Sequence, residues 1–116
     1  MQKVSENFNR EEFACKCGCG FNTVDIELLG ILEKAREHFN SPIIITNSCR
    51  CYKHNKEVGG SRYSKHLLGQ AADIVVEGVE PYKVYKYFNK TYPKTYGVGD
   101  YETFTHIDRR EEKARW

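Results

Sequence analysis

Two stretches of the sequence hold side chains of the types that bind metal ions and move protons. His66 and Asp73 lie seven positions apart, and a glycine and two alanines close to Asp73 give the chain room to turn. His106 and Asp108 lie two positions apart in a run typical of a β-strand, so their side chains point to one face. Two imidazoles and one carboxylate suit a catalytic zinc site, in which three protein ligands leave a fourth position for water. Each residue also fits an ordinary structural role, and spacing alone does not decide between the two.

A metal-bound water needs a separate carboxylate that takes its proton and delivers it to a leaving amine. Glu102 and Asp100 are the acidic residues close to His106 in the sequence. A further polar residue, Arg50, follows shortly after the apolar β-branched run Pro42–Thr46. The sequence therefore offers metal ligands, two candidate proton acceptors and one cation.

The composition predicts one globular domain over residues 1–116, because 40% of the residues are hydrophobic and 29% are charged. The formal net charge of +2 is too balanced to predict nucleic-acid binding. The longest clean apolar stretch is Ile43–Ile45, so we expect no membrane insertion. The first fifteen residues lack the apolar core of a secretory signal, so we expect synthesis in the cytoplasm without a signal peptide.

The charge is uneven along the chain. Residues 50–70 hold five basic residues against Glu57 alone, which gives a local net charge of +4. This basic stretch indicates either a nearby anionic ligand group or an ordinary solvated face.

The five cysteines fall into two groups, Cys15–Cys19 and Cys49–Cys51. Without an export signal, a disulfide framework is not the first expectation. A second, structural zinc ion is possible because thiolates are its preferred ligands. The C-x-C spacing is tighter than the usual C-x2-C, so the sequence does not favour this ion. Ordinary thiols, or a disulfide outside the cytoplasm, remain open.

Apolar periodicity predicts three helices and four strands. Thr23 is the predicted N-cap of the first helix, and a turn near Gly99–Asp100 joins the last two strands. This order predicts an α+β fold with a small, mainly antiparallel sheet packed by helices. The predicted helices are 24–39, 52–58 and 81–92, and the predicted strands are 42–46, 71–76, 96–98 and 104–108.

The segment Ser64–Asp73 reads S-x-H-x-x-G-x-A-x-D and resembles the signature of the zinc D-alanyl-D-alanine carboxypeptidase family. That family includes small phage-type endopeptidases and shares its zinc-site architecture with the hedgehog signalling domain. The similarity continues in chain order through residues 7–20, 46–60, 97–99 and 104–109, and so covers most of the sequence.

The resemblance implies a hedgehog/D-Ala-D-Ala peptidase-like fold and one catalytic zinc ion. It implies His66, Asp73 and His106 as the zinc ligands. It also implies that Arg50 steadies the substrate carbonyl or its developing oxyanion, and that Ser64 contacts substrate beside the metal.

One position departs from the family pattern. Many members have an acidic residue three positions before the final histidine, where this sequence has Thr103. Glu102 is the favoured proton acceptor because its longer side chain can span the offset, and Asp100 is the alternative. An inactive zinc-binding relative is a further reading of this departure.

The resemblance implies a zinc peptidase that cuts the stem peptides of bacterial peptidoglycan, either as a carboxypeptidase or as an L-alanyl-D-glutamate-type endopeptidase. We expect a monomeric cell-wall lytic enzyme that acts at the wall after phage-mediated release or as part of a virion. Two alternatives are a non-catalytic zinc-stabilised binding module of the same fold and a small cysteine-rich nucleic-acid-binding protein. The near-neutral charge opposes the second.

Overall fold

The computed structural model describes residues 2–116. They form a five-stranded sheet covered by helices. Two short 3₁₀ turns, Arg10–Phe13 and Lys65–Leu68, complete the regular structure. The helices are α1 (Ile26–Phe39), α2 (Tyr52–Glu57) and α3 (Pro81–Thr91), and the strands are β1 (Ile43–Asn47), β2 (Ala71–Val76), β3 (Gly97–Asp100), β4 (Thr105–Asp108) and β5 (Ala114–Arg115).

The strand order across the sheet is β1-β2-β4-β3-β5. Every neighbouring pair is antiparallel except β3 and β5, which are parallel. The predicted α+β class with a mainly antiparallel sheet is therefore confirmed. The two-residue strand β5 was not predicted, because so short a segment carries no readable alternation.

Strand register separates an apolar face of the sheet from a polar one. Asp73 of β2 pairs with His106 of β4, and His106 pairs with Gly99 of β3. Side chains alternate between faces along a strand, so Asp73 and His106 share one face while Ile74 and Ile107 point to the other. The polar face holds the predicted metal ligands, and the opposite face belongs to the hydrophobic core.

The core forms between the apolar face of the sheet and helices α1 and α3. Leu28 and Leu32 of α1 and Phe88 of α3 are fully buried there. Burying one such side chain is worth about 1.5–3 kcal/mol, so this layer fixes the strands that carry the polar face. Among the helices of residues 2–116, none is both long enough and apolar enough to cross a membrane.

The first helix begins two residues later than predicted. Asp25, not Thr23, is the N-cap, and its carboxylate accepts a hydrogen bond from the Leu28 backbone N–H at 3.0 Å. Asp25 is also 3.1 Å from Arg109 Nε in an ion pair. The carboxylate thus satisfies one of the free N–H groups at the helix start and ties α1 to the end of β4.

The predicted turn at Gly99–Asp100 is also wrong, because both residues belong to β3. Asp100 pairs with Thr105 on one side, and its N–H donates to the Trp116 carbonyl at 2.7 Å on the other. The neighbouring strand β5 therefore extends β3, and the turn moves to residues 101–104.

Replacing Gly30 with alanine should raise the stability of the fold. Gly30 is an exposed residue in the middle of α1, and a Cβ placed there meets no atom within 4 Å. We expect the free energy of unfolding in urea, at fixed zinc concentration, to rise by about 0.5–1 kcal/mol.

The Gly99→Ala variant is the contrasting case. A Cβ at Gly99 would lie 2.6 Å from Nε1 of the Trp116 indole. We expect this variant to lose about 1–3 kcal/mol through overpacking. Equal stability of the two variants would contradict the described packing of Trp116.

Candidate metal centre

Three side chains predicted to bind metal converge on the polar face of the sheet. The ligand atoms of His66, Asp73 and His106 all lie within 4.8 Å of one another, and each residue is buried. His66 Nε2 is 3.5 Å from Asp73 Oδ2, and His106 Nδ1 is 2.9 Å from Asp73 Oδ1. Two nitrogen donors and one oxygen donor in this arrangement match the ligand set of a catalytic zinc site.

The second nitrogen of each imidazole is held by an acceptor outside the cluster. His66 Nδ1 donates to the Ser48 carbonyl at 2.7 Å, and His106 Nε2 donates to Asp108 Oδ2 at 2.8 Å. These acceptors hold each ring so that its inner nitrogen, His66 Nε2 or His106 Nδ1, faces Asp73. They also favour the tautomer with the hydrogen on the outer nitrogen. Such outer partners are what orient histidine ligands in metal proteins, so the residues fit a metal ion.

His66 is positioned by the short turn Lys65–Leu68. The Ser64 hydroxyl accepts a hydrogen bond from the His66 N–H at 3.2 Å and starts the turn. Gly69 ends it with a left-handed φ of 67°, and a Cβ there would lie 2.7 Å from the Thr23 carbonyl oxygen. The glycine of the S-x-H-x-x-G signature is therefore required by both its backbone conformation and its close approach.

Asp108 is the orienting residue for His106. Besides His106, it accepts hydrogen bonds from the Arg110 guanidinium at 2.8 and 2.7 Å and from the Gly97 N–H at 3.2 Å. A Cβ at Gly97 would come within 2.6 Å of this carboxylate. These contacts agree with a role for Asp108 in orienting the His106 ring.

The hydrogen bonds of the cluster shift its protonation equilibria. Burial alone would raise the pKa of Asp73, but hydrogen bonds from His106 and His66 outweigh it and hold that pKa well below its usual range. Burial alone would lower the pKa of His106, but the carboxylates of Asp108 and Asp73 outweigh it and raise that pKa. In metal-free protein this His106 pairing contributes its full stability below pH about 6.5 and loses it as pH rises through the raised pKa.

Arg50 lies beside the cluster, in the wall of the same cleft of about 480 Å³. Its side chain is buried, and Nη1 donates to Asn55 Oδ1 at 2.9 Å. A Cβ at Gly60 would overlap both Arg50 and Asn55, so the glycine makes room for this contact. Burial lowers the pKa of Arg50, while the charge of Asp73 opposes that shift. The guanidinium remains a fixed cation next to the predicted ligands.

The two predicted proton acceptors lie outside this cleft. Asp100 pairs with Thr105, whose hydroxyl donates to the Pro81 carbonyl of α3, so both residues belong to the face opposite His106. Glu102 is exposed in the turn 101–104 and lines a separate shallow pocket with Asp100. Tyr101 lines both pockets and separates them. Of the residues described, 2–116, Asp73 is the one acidic residue in the wall of the metal cleft.

Trp116 and Arg110 belong to the site, and sequence reasoning missed both. The Trp116 ring lies 5.0 Å from the His106 ring, and its Nε1 donates to the Tyr101 hydroxyl at 2.7 Å. The Arg110 guanidinium lies 5.2 Å above the Trp116 ring. Trp116 is the single tryptophan of the chain, which was the one signal that pointed to it.

A buried His/Asp/His cluster with oriented imidazoles and a neighbouring arginine fits a metal site that could support hydrolysis. The sequence profile of the family described as Peptidase M15 matches residues 6–108, and the chain belongs to this family. The predicted resemblance to the zinc D-Ala-D-Ala carboxypeptidase type is thereby confirmed. Family membership supports a peptidase, that is, a hydrolase. No curated protein matches the sequence.

As the pH is lowered, zinc affinity should begin to fall at a higher pH than it would for a site whose histidines have the ordinary pKa. Zinc requires a neutral imidazole, and the raised pKa of His106 keeps the metal-free ring protonated above its ordinary pKa of 6.5. We expect the loss to begin above that pH and to approach about tenfold per pH unit for this one proton. Competition with a chromophoric chelator, from about pH 5 to about pH 8, measures it.

The control for this pH dependence is Asp108→Asn, which removes one carboxylate that raises the His106 pKa. The onset should move to lower pH in this variant, while zinc affinity above the onset drops about 10–100-fold through loss of the orienting acceptor. An unchanged onset would show that Asp108 does not set the protonation of His106.

Proposed function

We propose that the protein is a zinc peptidase that hydrolyses peptide bonds in the stem peptides of bacterial peptidoglycan. The observation that supports this best is the convergence of His66, Asp73 and His106 beside a buried arginine, in a chain of the M15 peptidase family. The sequence resemblance supports the cell-wall substrate, and the proposed role is that of a cell-wall lytic enzyme of phage type, which acts on the wall as a monomer.

In this proposal one zinc ion would be held by His66 Nε2, a carboxylate oxygen of Asp73 and His106 Nδ1. When bound, the ion would supply a Lewis acid that polarises a carbonyl group and lowers the pKa of a water molecule. Ser48 and Asp108 keep the two imidazoles in the tautomers that leave these nitrogens free. The protein supplies the ligands already oriented, so little rearrangement is needed to bind the metal.

Arg50 is proposed to stabilise negative charge on the oxygen of the attacked carbonyl. Its Nη1 donates to Asn55 Oδ1 at 2.9 Å, and this contact holds the guanidinium in the wall of the metal cleft. Because the guanidinium is buried and held in place, it needs no reorganisation during the reaction.

Glu102 is proposed to take the proton of the attacking water and to return it to the departing amine. Its side chain is exposed and follows Tyr101, which lines the metal cleft. Exposed side chains change rotamer within nanoseconds, and a movement of the turn 101–104 would bring this carboxylate over Tyr101 towards the metal. Asp100 is the alternative acceptor, but it starts from the opposite face of the sheet.

The cleft suits an extended, partly anionic peptide. Tyr63, Tyr101 and Trp116 give it an aromatic rim, while Lys65 and Arg110 add positive charge. Ser64 lies in the same wall and is proposed to contact the substrate. Stem peptides carry free carboxylates that these cations would attract.

Purified peptidoglycan should release a defined peptide when incubated with the protein, and a chelator should stop the release. Glu102→Gln should lower the rate about 10²–10⁴-fold while zinc content stays unchanged, because only the proton acceptor is lost. Mass spectrometry of the fragments identifies the bond, and Asp100→Asn is the matched control. Full activity of the Glu102 variant together with loss in the Asp100 variant would transfer the role to Asp100.

A non-catalytic zinc-stabilised binding module is the second candidate function. The position of Glu102 and Asp100 outside the metal cleft favours it. This module would bind zinc and wall fragments but release no peptide from several wall types. That result, with stoichiometric zinc present, would reject the peptidase proposal.

Gly60→Ala should impair turnover without removing the metal. The added methyl group would displace the Arg50 guanidinium and its Asn55 partner, so we expect the rate of peptide release to fall by up to about 10²–10³-fold. Zinc content measured in parallel should stay that of the wild type. A variant with normal turnover would show that the position of Arg50 does not matter to the reaction.

A further inference from the structure

A second cluster of metal-binding side chains lies outside the His/Asp/His site. The sulfur atoms of Cys15, Cys17, Cys19 and Cys51 all lie within 4.8 Å of one another. Three come from one short loop, and the fourth comes from the segment that precedes α2. The proposed peptidase chemistry uses none of them.

Loop geometry explains how a C-x-C-x-C run gathers three sulfurs in one place. Gly18 and Gly20 adopt left-handed φ values of 80° and 93°, which glycine tolerates without strain. The Gly18 N–H donates to the Cys15 carbonyl at 3.2 Å, and the Cys15 N–H donates to the Phe21 carbonyl at 2.7 Å. The loop is thereby closed at its base, and its alternate side chains turn inwards. In the sequence, the C-x-C spacing is tighter than is usual for a metal site. The two glycines bend the loop enough to bring its three sulfurs together.

The sulfur separations are those of a thiolate metal site and not of a disulfide. Cys15 Sγ is 3.4 Å from Cys17 Sγ, and Cys17 Sγ is 3.6 Å from Cys51 Sγ. A disulfide requires about 2.05 Å. A tetrahedral zinc ion with Zn–S bonds of about 2.3 Å places its sulfurs about 3.8 Å apart.

The fifth cysteine is excluded from the cluster by its surroundings. Cys49 is fully buried, and its thiol donates a hydrogen bond to the Thr23 carbonyl at 2.6 Å. A thiol that donates its proton to a carbonyl is not available as a thiolate ligand. The five cysteines therefore comprise four clustered thiols and one buried thiol with a structural hydrogen bond.

We propose that Cys15, Cys17, Cys19 and Cys51 bind a second zinc ion in a closed, structural S₄ site. Four protein ligands leave no open position, so this ion would stabilise the fold and take no part in hydrolysis. Backbone N–H groups already face the sulfurs: Cys51 N–H donates to Cys15 Sγ and His54 N–H donates to Cys51 Sγ, each at 3.4 Å. Such donors lower the cost of concentrating negative charge on thiolates.

The proposed ion would cross-link the N-terminal loop to the segment that contains Arg50. Cys51 is the neighbour of Arg50 in the chain, and the Arg50 N–H donates to the His66 carbonyl at 3.0 Å. A cross-link at Cys51 thus restrains the backbone between the cation and the first predicted ligand of the catalytic ion.

The zinc content of the full chain, purified with a reductant, tests the proposal. The wild type should carry two zinc ions, and the double variant Cys17→Ser/Cys19→Ser should carry one. Both replaced side chains are exposed, so the change removes ligands without disturbing the core. Cys49→Ala is the matched control and should keep two ions. Cobalt substitution should give a thiolate-to-cobalt charge-transfer band in the wild type and in Cys49→Ala, but not in the double variant.

His66→Ala separates this proposal from the peptidase proposal. It should lose one zinc ion and all peptide release while keeping the thiolate-to-cobalt band. A wild type without that band, or one whose four clustered thiols all react freely with a thiol reagent while zinc is bound, would overturn the S₄ site. A mass lower by the hydrogens of a disulfide after purification in reductant would overturn it as well.

Discussion

The placement of Asp73 opposite His106 in the β2–β4 register is the constraint on which the rest of the site depends. A slip of one residue would bring Ala72 or Ile74 to the polar face and bury a carboxylate in the core. The register is held because alternate residues of both strands are apolar and pack under α1 and α3. The same β2–β4 register therefore determines both the packing of the core and the geometry of the predicted metal ligands.

Carboxylates alternate with nitrogen donors through the cluster, which makes burial of so many polar groups tolerable. Arg110, Asp108, His106 and Asp73 follow one another, and each side chain lies within hydrogen-bond distance of the next. Buried polar groups are stable only when their partners are in place. A proton on His106 Nδ1 and a metal ion would both lie between this nitrogen and Asp73, which are 2.9 Å apart.

Much of this arrangement could be predicted from the sequence, and the exceptions have physical causes. The positions of the predicted ligands follow from a signature whose glycine and alternation are encoded locally. Strands β2 and β4 were predicted within one residue of their bounds. Trp116 and β5 could not be predicted, because their place depends on pairing with a strand nearly twenty residues earlier in the chain. The position of Glu102 could not be predicted either, because Asp100 and Gly99 extend β3 and shorten the turn.

Trp116 gives the protein an optical property that follows from its packing. It is the single tryptophan, and its indole lies 5.0 Å from the His106 ring and 5.2 Å from the Arg110 guanidinium. All of the intrinsic tryptophan fluorescence of this chain therefore originates beside the His/Asp/His cluster. Binding of the proposed metal ion, protonation of His106 and contact with a substrate would each change the environment of this one fluorophore, so Trp116 would report on the state of the site.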